Sequence, residues 1–259
     1  MILVAQVSDT HFDLGARNAE RAEQVMAFLT GLRRRPDAIL VTGDVTDSGQ
    51  HEQYAQARLA FDIDIPVYAI PGNHDDRAAF RSTLLGEAAS TAPINHAHRV
   101  GDLTVALLDS SIPGEPNGRL ADETYSWLHG VLATAPADKP ILLALHHPPA
   151  YLFSPVVDEI SLDEPEKFAE VVAGDKRIVA VLTGHAHSSA TTTFAGRPLL
   201  VAPSTGWVLG GLWELDPPDH VMDYAPDPAV ALHMIDEKHS LTTHFRSVTM
   251  GGRLGVLPS

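Results

Sequence analysis

The chain contains no cysteine. Disulfides, thiolate nucleophiles and cysteine-ligated metals are therefore excluded. Basic residues are scarce: 18 Lys and Arg face 33 Asp and Glu, a formal net charge of −15. Such a surface repels nucleic acid and anionic membranes, and no basic stripe offsets it. The one cationic run, Arg33-Arg34-Arg35, falls at an expected helix end, where it complements the helix dipole. No stretch approaches the ~20 apolar residues of a membrane span. The run that opens the chain, residues 2–8, has no basic segment before it and is too short for a secretory signal. The expectation is a cytoplasmic, soluble globular protein. No glycine/serine linker, low-complexity block or internal repeat divides the 259 residues. One domain over 1–259 is expected, with a C-terminal extension at about 205–259. Within it the Pro/Asp-rich stretch 214–228 reads as a surface excursion.

Histidine is what the sequence has in excess: 14 residues, many beside Asp, Asn or Gly. Their positions depend on the pattern of elements. Short apolar runs predict strands at 2–8, 38–42, 66–70, 140–146 and 177–183. Helical spacing appears from Ala22 to Leu32, over 50–61, from about Asp75, after Asp122, and over 163–174. Residues 98–110 predict a hairpin turning at Gly101-Asp102. After residue 183 the pattern is mostly β. Strands alternating with helices imply a largely parallel sheet, and the β-rich tail and central hairpin imply a second. The expected fold is α/β, a four-layer αββα sandwich: two mixed sheets face to face, with helices on both outer faces.

Five strands end in polar clusters: Asp9-Thr10-His11, Gly43-Asp44, Gly72-Asn73-His74, His146-His147 and Gly184-His185-Ala186-His187. The carboxyl ends of strands are where open α/β sheets bind ligands. Any one cluster reads equally well as a turn or a helix cap, but five at one topological position do not. Asp9, His11, Asp44, Asn73, His146, His185 and His187 together offer carboxylate, imidazole and amide donors. That mixture suits Fe, Mn, Co or Zn and lacks the all-oxygen character of a Ca²⁺ site. Glycine before Asp44, Asn73 and His185 is expected to let the backbone turn sharply. A His-x-His pair on an extended segment would put both rings on one side, available to two neighbouring ions.

The series Asp9-x-His11, Gly43-Asp44, Gly72-Asn73-His74-Asp75, His146 and Gly184-His185-x-His187 resembles the calcineurin-like metallophosphoesterase superfamily. All five blocks occur in order. The single His146-His147-Pro148-Pro149 block and the Asp after Gly-Asn-His resemble the bacterial class III cyclic nucleotide phosphodiesterase and glycerophosphodiesterase branch. The resemblance implies two metal ions, Fe and/or Mn, with Zn or Co as alternatives. It implies one ion on Asp9, His11, Asp44 and His187, a second on Asp44, Asn73, His146 and His185, and Asp44 bridging them. It implies His74 as the catalytic residue beside the phosphate and leaving group, with Asp75 orienting its ring. The reaction expected is hydrolysis of a small phosphodiester, 3′,5′-cyclic AMP as first guess, by a hydroxide held between the ions. A glycerophosphodiester or phosphomonoester substrate is the alternative, and an interaction scaffold the non-enzymatic one. A homodimer is a further implication; nucleic-acid and membrane partners are not expected.

Other residues carry blander expectations. Asp76 reads as an exposed acid at a helix start. His147 follows a ligand on a strand and is expected on the opposite side. His96 and His98 read as strand histidines or cleft lining. Trp207 and Trp213 are assigned to cleft, contact or core alike. His51, His129, His220, His233, His239 and His244 are expected on the surface or in packing.

Overall fold

The computed structural model describes residues 1–210 and 222–249. Trp213, His220 and most of the stretch 214–228 lie outside the described residues. Along the chain run β1 (Ile2–Val7), α1 (Ala16–Gly31), β2 (Ala38–Thr42), α2 (His51–Ala60), β3 (Val67–Ile70) and the short α3 (Arg77–Ala79), which passes into a π-helical turn at Phe80–Leu85. Then come β4 (His96–Val100), β5 (Leu103–Leu108), β6 (Ser111–Ile112), β7 (Glu115–Gly118), α4 (Asp122–Thr134), β8 (Ile141–Leu145), α5 (Pro165–Gly174) and β9 (Ile178–Thr183). The rest is β: β10 (Ala190–Phe194), β11 (Arg197–Val201), β12 (Val208–Leu209), β13 (Met222–Asp223), β14 (Ala229–Ile235) and β15 (Leu241–Ser247). The hairpin is β4–β5, joined at Gly101 with φ +58°. Asp122 lies in the first turn of α4 rather than at its cap, which Ala121 occupies.

Two large sheets form, ordered β15-β14-β1-β2-β3 and β10-β11-β9-β8-β5-β4. Strands β1, β2 and β3 are parallel, as are β5, β8, β9 and β11; the outer pairings are antiparallel. Alternation along each strand builds the layers. Val4, Leu40 and Ile70 face Val105, Leu142, Ala180 and Leu182 between the sheets. Leu3, Ala5 and Val7 turn outward against Val25, Met26 and Leu29 of α1. On the far side, Leu143 and Val181 pack on Leu128 of α4 and Phe168 of α5. The αββα expectation is met, and because β1, β2, β3, β5, β8 and β9 run alike within each sheet, their carboxyl ends gather in two rows.

One inter-sheet position breaks the apolar rule. Gln6, fully buried, donates to Thr42 Oγ1 and the Thr183 carbonyl at 3.0 Å each, and its Oε1 lies 3.0 Å from His233 Nε2. His233 Nδ1 is 2.8 Å from Thr243 Oγ1. Each polar atom is paired, as burial demands. Burial pushes the His233 pKa down to about 3 from 6.5. The unfolded chain therefore takes up this proton first. The stability it confers is full above about pH 6.5 and is lost as pH falls toward 3, at up to about 1.4 kcal/mol per pH unit. In urea titrations with EDTA present, the wild type should lose about 1 kcal/mol more than His233→Leu between pH 6 and pH 5. Equal losses would place the proton on another group.

Candidate metal centre

The five clusters meet where the strands end. The backbone there departs from ordinary conformations: Asp9, His11, Asp44, His185 and His187 all have positive φ, between 43° and 68°. Such left-handed non-glycine residues are costly and collect at functional sites. Gly43 is left-handed too, at φ +92°, as expected of a residue that turns the chain before Asp44. Gly72 and Gly184 are not. They are glycines because a Cβ would overlap the Asp44 carboxylate and Ser8 Oγ respectively. The expected reason was conformational; the observed one is close packing.

The expected ligands fall into two groups sharing Asp44. In the first, His11 Nε2 lies 3.1 Å from His187 Nε2 and 3.5 Å from Asp44 Oδ2, and His187 Nε2 lies 3.5 Å from Asp9 Oδ1. In the second, His146 Nε2 lies 3.1 Å from Asn73 Oδ1, 3.2 Å from His185 Nδ1 and 3.4 Å from Asp44 Oδ1. All but Asn73, which is half-buried, are buried. The segment carrying His185 and His187 is kinked rather than extended. The His-x-His pair therefore reaches the two groups through different atoms, Nδ1 of His185 and Nε2 of His187.

Backbone carbonyls fix the tautomers. His187 Nδ1 donates to the Trp207 carbonyl (2.9 Å), His146 Nδ1 to the Thr42 carbonyl (2.8 Å) and His185 Nε2 to the Ile160 carbonyl (3.0 Å). A carbonyl oxygen only accepts, so each ring turns its other nitrogen, with its lone pair, into the cluster. His146 Nε2 and His185 Nδ1 thus face each other at 3.2 Å. Such contacts require a shared cation, a proton or a metal ion. Rings locked by a second hydrogen bond are how proteins hold metals. The donors present fit two ions of the N/O-binding class.

The electrostatics agree. Burial pushes the Asp9 carboxyl up to about 6 against the pull of His146. Burial likewise opposes Asp44 ionisation, but His146 and His11 outweigh it and hold Asp44 well below the carboxylate range. Burial and His146 push His185 down to about 3, and burial and His11 push His187 well below its ordinary value. Burial opposes protonation of His146 and His11 as well, but Asp44 and Asp9 push His146 up to about 9, and Asp47 and Asp44 raise His11. Positive charge is drawn to these buried carboxylates, which marks a cation site.

Two expectations about neighbouring residues change. Asp75 does not hold the His74 ring. Its carboxylate is taken by the backbone N–H groups of Val45, Thr46 and Gly72 and by the hydroxyls of Thr46 and Tyr54. It fastens the Gly72–His74 turn onto the loop after β2. Asp47 takes the expected role: its carbonyl accepts from His74 Nδ1 at 2.8 Å, and its Oδ1 lies 3.5 Å from His11 Nδ1. Sequence reasoning missed Asp47, although the spacing Gly43-Asp44-x-x-Asp47 was visible. His147 does not point away from the cluster, because β8 ends at Leu145 and strand alternation ends with it. Its ring centroid lies 4.7 Å from that of His185, and Nδ1 meets Ser110 Oγ at 2.8 Å.

His74 is exposed, its N–H bonds to Asp44 Oδ1 (3.0 Å), and its ring stands edge-on to His11 at 4.7 Å. Asp76 is an exposed N-cap that accepts from Ala79 N. His96 Nδ1 meets His98 Nε2 at 2.7 Å, and His96 Nε2 donates to the Ala69 carbonyl at 2.9 Å. Tyr68 stacks on His98. They are satisfied strand histidines. Trp207 stacks on the His187 ring at 3.7 Å and lies 5.3 Å from that of His11.

Two face-to-face mixed sheets with His/Asp clusters at the strand ends define the class, an αββα metallohydrolase scaffold. The family described as calcineurin-like phosphoesterase matches residues 2–189, and the chain belongs to it. It is 40% identical, over 71% of its length, to a probable cyclic nucleotide phosphodiesterase of Rhodococcus erythropolis, and covers 62% of that protein. It is 34% identical, over 79% of its length, to the glycerophosphodiester phosphodiesterase GpdQ of Enterobacter lignolyticus, covering 77% of it. A dimetal phosphatase from Danio rerio shares the fold, with a TM-score of 0.70 at 14% identity and 96% of each chain covered. Among the described residues no helix is long and apolar enough to cross a membrane.

Proposed function

We propose that the protein is a dinuclear metal-dependent phosphodiesterase acting on a small phosphodiester, with 3′,5′-cyclic nucleotides as the preferred class. The observation that carries the reading is the set of imidazole lone pairs aimed at one another, each locked by a backbone carbonyl. Asp9, His11, Asp44 and His187 would hold one ion, and Asp44, Asn73, His146 and His185 the other. Bound divalent ions supply Lewis acidity toward the phosphoryl oxygens and a hydroxide nucleophile near neutral pH. The N/O donor set suits Fe, Mn, Co or Zn, and the family resemblance favours Fe and Mn among them.

The chain's own groups do the rest. Asp44, tied by one oxygen to the His74 N–H, keeps the ligand set in register with the turn that carries His74. His74 donates Nδ1–H to Asp47, so its Nε2 is the atom free to face substrate. A proton on Nε2 would pass to the departing alkoxide as its bond to phosphorus breaks. Asp75 positions this turn through its five hydrogen bonds.

The relatives named for cyclic nucleotides and for glycerophosphodiesters both support a phosphodiester. A glycerophosphodiester is therefore the second reading, because the ligands touch only the phosphate. The complete donor set counts against a scaffold role. Exhaustive dialysis against EDTA should abolish turnover of bis(4-nitrophenyl) phosphate, and Mn²⁺ should be among the ions that restore it. Full activity with metal absent by elemental analysis would end the proposal. A panel of cyclic AMP, cyclic GMP, glycerophosphoethanolamine and 4-nitrophenyl phosphate then ranks the substrates.

A further inference from the structure

The loop between β8 and α5 is tied to the centre at several points. It leaves β8 through His146 and His147. The Leu162 N–H closes it onto the Pro148 carbonyl at 3.1 Å. Near its end the Ile160 carbonyl accepts from His185. In its middle Leu152 packs on a small cluster that contains Ala186, the residue between His185 and His187. The backbone on either side of Leu152 is held by one side chain: Asp158 Oδ1 accepts from Leu152 N and Asp158 Oδ2 from Ser154 N, both at 2.7 Å.

With Leu152 inward, its neighbours turn out. Tyr151 and Phe153 are 65% and 64% exposed, and their rings stand edge to face with centroids 5.0 Å apart. Single exposed apolar side chains are ordinary. A paired aromatic surface on a clamped loop is not, least of all in a chain with 6% aromatics. Phe153 is also left-handed, at φ 60°, a costly conformation for a bulky residue that the Asp158 clamp maintains. Both Asp158 oxygens are occupied by that clamp, so the carboxylate is not offered to a ligand. The loop thus presents aromatic faces to solvent beside a centre built for phosphate.

We propose that Tyr151 and Phe153 form the stacking platform for the nucleobase of the substrate or product. This rests on the phosphodiesterase reading and names the feature that separates nucleotides from glycerol esters at the same metals. Ring faces stack on any base and have no partner in a glycerol headgroup.

The test compares 5′-AMP with ribose 5-phosphate as inhibitors of bis(4-nitrophenyl) phosphate hydrolysis by the metal-loaded enzyme. The two differ only by adenine. In the wild type 5′-AMP should inhibit at roughly tenfold to hundredfold lower concentration. Tyr151→Ala/Phe153→Ala should abolish that advantage and leave the ribose 5-phosphate constant within about twofold of the wild type. Tyr151→Phe/Phe153→Tyr should retain it. If the wild type shows no adenine advantage, or the double alanine variant keeps it, the platform is disproved. If that variant weakens both inhibitors alike, the loop serves the fold and the proposal is equally overturned. Cyclic AMP turnover is read separately. An adenine advantage without cyclic AMP hydrolysis would sink the cyclic nucleotide reading and support the platform. Cyclic AMP hydrolysis without an adenine advantage would do the reverse.

Discussion

Asp44→Ala is expected to leave the protein unable to hold its pair of ions and to lower turnover roughly 10³-fold or more. Among the described residues Asp44 alone faces both clusters: Oδ2 lies 3.5 Å from His11 Nε2, and Oδ1 lies 3.4 Å from His146 Nε2. No described neighbour can replace it, because Asp9 meets the first group and Asn73 the second. Elemental analysis should find fewer than two ions per chain, against two in the wild type. Circular dichroism should stay unchanged, since the fold rests on the three large apolar layers and not on this carboxylate. A purified Asp44→Ala protein with full metal and near-normal turnover would remove the shared-ligand assignment. Asp44→Asn provides a second arm: it keeps the acceptor toward the His74 N–H but removes the charge, and it too should lose metal.

His74→Ala should keep both ions and lose about 10²–10⁴ in kcat, the usual reach of a positioned general acid. The loss should be greater for an alkyl phosphodiester than for bis(4-nitrophenyl) phosphate, since 4-nitrophenolate departs with little protonation. The neighbouring Asn73→Ala should fail differently. Asn73 Oδ1 touches the His146 nitrogen that belongs to the second group, so its loss weakens one ion, and high added metal should restore part of the rate by mass action. His74→Ala should be insensitive to added metal. If His74→Ala slows both substrates equally, the leaving-group role falls and His74 is left positioning the phosphate. If it loses metal, even that role is lost.

The sequence alone was enough for the main strands and helices and for the pool of donors, whose division into two groups came from the family resemblance. Strand β2 falls on residues 38–42 as its apolar run predicts, and a parallel α/β pattern carries its own consequence: strand ends align, so polar residues after each strand meet. Residue type is likewise local information. An Asp, an Asn amide or an imidazole is a donor of known character wherever it sits, so the N/O class of metal was readable before any coordinates.

What only the tertiary structure decided is which atom of each donor faces inward and what holds it there. The carbonyl that fixes His146 belongs to Thr42, 104 residues away, and the one that fixes His187 belongs to Trp207, whose own sequence context is silent about it. Backbone oxygens carry no residue-specific mark, so no motif can record such partners. The same limit misassigned Asp75 and hid Asp47: both follow a ligand closely, and the direction each takes depends on how the loops after β2 and β3 cross. His147 was misplaced because alternation was extended past Leu145, where the strand had already stopped. The outward rings of Tyr151 and Phe153 were unreadable for a related reason. Which side chain of a loop turns inward is set by the Asp158 clamp and by the hydrophobic cluster beneath Leu152, and that cluster exists only once Ala186 and Val201 of β11 have come against the loop.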